Sequence, residues 1–146
     1  MKRYITLVIA ALALIATAQS NRSKWGNEML EAKHQMIIEE VQLTMTQQEQ
    51  FMPLYKAMEK EIYQTNVEAR ALAAQVEGKA NASDSDYAQA AAALSAAKVH
   101  EGEVEAKYFK EFSKLLTKKQ LFQLKQAELK FTRSVLTRGK GRNKNK

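Results

Sequence analysis

The chain has 146 residues, no cysteine, one proline, five glycines and a formal net charge of +7. That length holds one small domain, and a composition rich in Ala, Glu, Lys, Gln, Leu and Met predicts an all-α fold. The lack of cysteine excludes both a disulfide scaffold and a lipoprotein acylated at a cleavage-site cysteine.

Residues 1–18 read as a secretory signal peptide. Lys2 and Arg3 form the charged start, Ile5 to Ala16 the apolar stretch, and Ala16-Thr17-Ala18 a small-residue cleavage site before Gln19. The apolar run of about 12 residues falls short of the ~20 that a membrane-spanning helix needs. Export to the periplasm as a soluble protein is therefore expected. Removing the leader leaves 21 basic against 16 acidic residues, and five of those bases sit in the last nine residues, RGKGRNKNK. The domain proper, residues 19–137, is neutral. Within it, residues 28–105 hold 14 acids and 6 bases, whereas 106–137 hold 8 bases and 2 acids. This dipolar distribution suggests self-pairing into a homodimer, with an ordinary solvated surface as the alternative.

The predicted helices follow in order. Trp25, the only tryptophan, is expected to fold back onto the bundle. A first amphipathic helix spans about Asn27 to Val41, with Met29, Ile37, Ile38 and Val41 on one side. The second is expected to start at Thr46, because Thr46 with Glu49 forms a capping box. Phe51, Tyr55, Met58, Ile62, Thr65, Ala69, Leu72 and Val76 then recur at alternating spacings of four and three, a heptad seam. Pro53 interrupts it and should kink the helix. Gly78 to Ser85 carries the only internal loop chemistry. Ser83 with Asp86 forms the next capping box, opening a helix from about Asp84 to Leu115. Gly102 weakens that helix without ending it. Thr117 with Gln120 starts a fourth helix, expected to end near Leu136. The tail from Arg138 has no apolar residue to bury and should be disordered. Its charge points to anionic lipid, lipopolysaccharide or acidic proteins rather than nucleic acid, with a merely solubilising terminus as the other reading.

Thr46 and Thr117 lie at equal distances from the Gly78–Ser85 loop. The second and third helices should therefore form an antiparallel hairpin of near-equal arms with both motifs at its open end, flanked by the N- and C-terminal helices in a cradle-like arrangement of four. The register sets Phe51 near Phe112, Tyr55 near Tyr108 and Val76 near Tyr87. A bundle this thin should leave some apolar side chains in a surface groove.

No phosphate-binding glycine loop and no nucleophile with a matched base is present, so neither an enzyme nor a cofactor is expected. His34 and His100 are the weak candidates for a metal, since no spacing joins them to further ligands. The methionine-rich first half suits an adaptable binding surface. Candidate contacts are Met36, Met45, Met52, Leu54 and Phe131, with Lys118 and Lys119 steering charged partners.

Two segments carry a shared pattern, Met45-Thr46-Gln47-Gln48-Glu49 with Phe51, and Leu116-Thr117-Lys118-Lys119-Gln120 with Phe122. Leu43-Thr44-Met45-Thr46-Gln47 matches the second copy by letter, but the flanks favour Thr46 as the cap. Together with the leader and the hairpin, these motifs resemble those of the Spy/CpxP-like periplasmic family with LTxxQ motifs. Phe51-Met52-Pro53-Leu54-Tyr55 is similar to the F-x-P-x-Y stretch of its Bacteroidota-type relatives. The resemblance covers roughly residues 27–137. It implies a cradle-like, often dimeric helical protein of the envelope, acting as an ATP-independent chaperone or stress-response accessory. Unfolded or envelope proteins would be its partners. A metal-responsive protein and a regulatory partner of a membrane stress sensor are the alternatives it also implies.

Overall fold

A computed structural model describes residues 26–142, with side chains through residue 137. The signal peptide, Trp25 and the last four residues lie outside the described residues. Among the described residues are four helices and no strand: α1 over 26–41, α2 over Met45–Glu77, α3 over Asp84–Leu115 and α4 over Lys118–Arg142. α2 and α3 pack along each other as the expected hairpin. α4 runs past its expected end near Leu136 and into the segment read as a tail. None of the described helices is long and apolar enough to cross a membrane.

The chain divides into two compact units. One is Leu43–Gln123, which contains the hairpin. The other combines the described residues up to Gln42 with those from Leu124 onward.

In the hairpin unit, α2 turns Phe51, Tyr55, Met58, Ala69 and Val76 inward, and α3 turns Ala90, Ala97, Val104 and Phe112. The heptad spacing of α2 dictates this, because residues three and four apart share a helix face. Near the open end the core is aromatic. Phe51 meets Phe112 at a ring-centroid distance of 4.8 Å with planes tilted by 59°. Tyr55 lies 6.1 Å and Tyr108 6.3 Å from Phe112. Tilted pairs of this kind contribute ~0.5–1.5 kcal/mol each beyond their area burial. Toward the loop the α3 contacts shrink to Ala90 and Ala97. The layer expected between Val76 and Tyr87 does not form: Val76 is buried, but Tyr87 is 56% exposed. Tyr87 follows the half-buried Asp86 by one position, a helical turn of about 100° that carries it off the inward row.

The hairpin turn is held by local bonds. The Gly78 N–H donates to the Ala74 carbonyl at 3.0 Å, ending α2. The Ser83 hydroxyl accepts from the Asp86 N–H at 3.2 Å, and the Asp86 carboxylate accepts from the Ser83 N–H at 2.7 Å, giving the predicted capping box. Lys79 adds an ion pair to Asp86 at 2.7 Å. Pro53 lies inside α2 with its ring exposed, so the Glu49 carbonyl lacks its usual helical donor.

In the other unit, Ile37 and Val41 of α1 and Leu124 and Ala127 of α4 are buried, together with His34. Lys130 pairs with Glu40, and the Lys33 ammonium sits 5.9 Å from the Phe131 ring centroid. α1 ends through Gln42, whose φ of 55° places it in the left-handed region.

Candidate functional site

The two motifs meet, but not in the alignment that the flanking residues favour. Thr44, not Thr46, caps α2. Its hydroxyl accepts from the Gln47 N–H, and the Gln47 side-chain oxygen accepts from the Thr44 N–H, both at 3.2 Å. Thr117 and Gln120 repeat this box at the start of α4, at 3.2 and 3.0 Å. The literal pattern Leu43–Gln47 is therefore the structural one: Met45 and Thr46 fill its two variable positions, Glu49 lies outside it, and none of the three caps α2. Burial explains the correction. Leu43 and Leu116, each preceding its capping Thr, are buried, whereas Met45 is 79% exposed. Phe51 is likewise buried, but Phe122, its apparent counterpart, is 65% exposed. The true counterpart is Leu124, also fully buried.

The two glutamines then bond to each other. Gln47 Nε2 donates to Gln120 Oε1, and Gln120 Nε2 donates to Gln47 Oε1, each at 2.9 Å. Gln47 Nε2 also donates to the Leu115 carbonyl at 3.1 Å, an acceptor at the end of α3 that no intrahelical N–H can reach. All four hydrogen-bonding positions of the Gln47 amide are thereby used. This clasp ties the starts of α2 and α4 to the end of α3. Nothing in it titrates or attacks a substrate, so its work is architectural.

The hairpin's two flanks differ chemically. On one, Lys107 pairs with Glu61 at 2.7 Å and the Tyr108 hydroxyl donates to Glu61 at 3.2 Å. The Lys107 hydrogen bond holds the Glu61 carboxyl below its usual range, and Glu61 in turn raises Lys107. Burial, followed by the bond to Glu61, raises the Tyr108 phenol. His100 and Glu103 approach within 3.5 Å on exposed α3 surface.

On the other flank, Glu101 is half-buried, and its carboxyl is held low first by the Lys98 hydrogen bond at 2.8 Å, then by Asn66 and Arg70. This cluster defines which rows of α2 and α3 face the same way. Tyr63 precedes Asn66 by three residues and Arg70 by seven, so it shares their row. Leu94 precedes Lys98 by four and Glu101 by seven, and Tyr87 lies seven before Leu94. Tyr63, Leu94 and Tyr87 are 69%, 42% and 56% exposed. Val67, beside Tyr63 and Arg70, is also exposed. Large apolar side chains thus alternate with cations along one flank.

The residues picked from sequence scatter. Met36 and Phe131 are half-buried in the unit built from α1 and the later part of α4, and Leu54 is half-buried in the hairpin unit. Met45 is exposed, as are Lys118 and Lys119 in the first turn of α4. Met52 is buried and cannot serve as a surface contact. A methionine next to a seam residue reads as surface only when nothing else packs on that side of the helix, which one-helix periodicity cannot show. His34 is buried in one unit and His100 is exposed in the other; among the described residues no group of three or more His, Cys, Asp or Glu could hold a metal ion. Sequence reasoning missed Tyr63, Val67, Tyr87 and Leu94. Tyr63 and Val67 lie off the α2 heptad seam, whereas the hairpin register sets Tyr87 opposite Val76 and so inward, and Leu94 keeps the spacing of the buried Ala90 and Ala97.

No family model, curated protein or solved structure matches this chain.

Proposed function

We propose that this is an exported, non-enzymatic binding protein of the periplasm that shields apolar segments of unfolded clients without nucleotide. The observation that carries the reading is the flank of Tyr63, Leu94 and Tyr87, large apolar side chains held outward on a rigid helical hairpin. The surface they leave exposed costs solubility unless a partner covers it. Support also comes from the paired LTxxQ motifs, which occupy corresponding places at two helix starts and resemble those of the Spy/CpxP-like family. The chaperone role and the periplasmic location rest on that resemblance and on the leader sequence.

Aggregation of a chemically denatured model client, followed by light scattering, tests the function. Suppression at equimolar to several-fold excess of this protein, unchanged by added ATP, is the expected result. Aggregation that proceeds undiminished at several-fold excess would remove the reading. Cell fractionation with N-terminal sequencing tests location: a periplasmic species beginning at Gln19 is expected.

A further inference from the structure

We infer that the Tyr63–Leu94–Tyr87 flank selects extended apolar segments that carry a carboxylate near their middle. The inference rests on the proposed client-binding role and names the class of client segment. The geometry sets the length. Lys79 pairs with Asp86 across the turn, which places Tyr87 level with the end of α2. Tyr63 lies about 15 residues before that level, or ~22 Å at the helical rise. An extended chain covers that span with about seven residues at ~3.3 Å each. Two apolar side chains some six residues apart can therefore reach Tyr63 and Tyr87 at once, with Leu94 and Val67 between them.

The charge sets the middle. Arg70 and Lys98 stand between the two tyrosines, and both are exposed. Lys98 pairs with Glu101 at 2.8 Å and Arg70 lies near the same carboxylate, so between the two tyrosines two cations face one acid. A second copy is the other apolar partner to weigh. Docked through this same flank about a two-fold axis at its middle, it would set Arg70 and Lys98 against their own equivalents, a like-charge contact. An acidic segment meets the same cations favourably. Exposed ion pairs of this kind are weak, so the effect expected is a preference rather than an absolute requirement.

Fluorescence anisotropy with three labelled nonapeptides tests this directly. Each has Phe at its second and eighth positions, Leu and Ser between, and Asp, Asn or Lys at its centre. The Asp peptide should bind about two- to fivefold tighter than the Asn peptide, with the Lys peptide weakest. The order should flatten in 1 M salt, where the screening length is ~3 Å. Arg70→Ala combined with Lys98→Ala, which leaves Glu101 as the one charge between the tyrosines, should abolish the preference for the Asp peptide or reverse it. Both side chains are exposed, and circular dichroism verifies that the variant keeps its helix content. Tyr63→Ser combined with Leu94→Ser should weaken all three peptides. Equal binding of the three peptides, or a preference that survives the double cation variant, would overturn the inference. Failure of all three to bind while client aggregation is still suppressed would overturn it too, yet leave the proposed function standing. Failure of aggregation suppression itself would remove the function instead.

Discussion

At the scale of single residues, Gln47 and Gln120 do two jobs with one side chain each. Each oxygen closes a capping box with its own Thr, and each amide nitrogen reaches across to the other glutamine. Removing one partner leaves the other with unmet donors and acceptors in a part-buried site, which costs ~1–3 kcal/mol. Gln47→Ala and Gln120→Ala should each destabilise by that amount. The double variant should lose less than their sum, by on the order of 1 kcal/mol in a denaturant-melt cycle. Strict additivity would show that the cross-bonds contribute nothing. Asp86 offers a pH-dependent counterpart at the opposite end of the hairpin. The Lys79 ion pair, then the Ser83 N–H and hydroxyl, lower its carboxyl from 3.8 to about 2. A group depressed on folding stabilises fully above its unfolded value and loses that contribution as pH falls toward its folded one. The difference in melting temperature between the wild type and Asp86→Asn should therefore be constant above about pH 4 and shrink between pH 4 and 2. A difference that persists unchanged at pH 2 would contradict the pairing.

At the scale of elements, α3 shows how much of a helix its own sequence settles. Ser83 and Asp86 start it as predicted, and Ala90, Ala97, Val104 and Phe112 face α2. Gly102 sits on its exposed surface, where an added Cβ would meet no atom within 4 Å. Among the described residues, no close approach requires a glycine there. Gly102→Ala should stabilise the protein by ~0.5–1 kcal/mol, since a mid-helix glycine costs about that much relative to alanine. A thermal or urea melt that shows destabilisation instead would mean that the backbone at this position needs close contact. α2 was less legible at its start. Thr44 and Thr46 both precede helical sequence and both have a Gln or Glu three residues on. Local chemistry does not choose between them. Leu43 marks the cap that forms, because it is buried directly before Thr44 as Leu116 is before Thr117. The register of the hairpin survived that error. Moving one cap by two residues moves the midpoint of the two caps by only one, well within a helical turn. Phe51 and Phe112 meet accordingly.

At the scale of the whole molecule, the apolar surface is where sequence and structure part most clearly. Helical content, the hairpin and its aromatic open end follow from spacing, caps and the one turn-forming stretch, all of them local in the chain. The candidate surface does not. Met52, expected as a surface contact, is buried, while Tyr87, expected to layer against Val76, is exposed on the same flank as Tyr63 and Leu94. Whether a side chain off the heptad seam is covered depends on elements distant in sequence, and two rows become one flank only when two helices are set in register. The sequence by itself therefore determined which segments are helical up to Leu136, where they turn and which residues could cap them. Only the tertiary structure decided which Thr caps α2, that Gln47 and Gln120 clasp each other, and which apolar side chains remain for a partner. Those outcomes rest on hydrogen bonds and burial between residues some seventy positions apart, and no local periodicity encodes them.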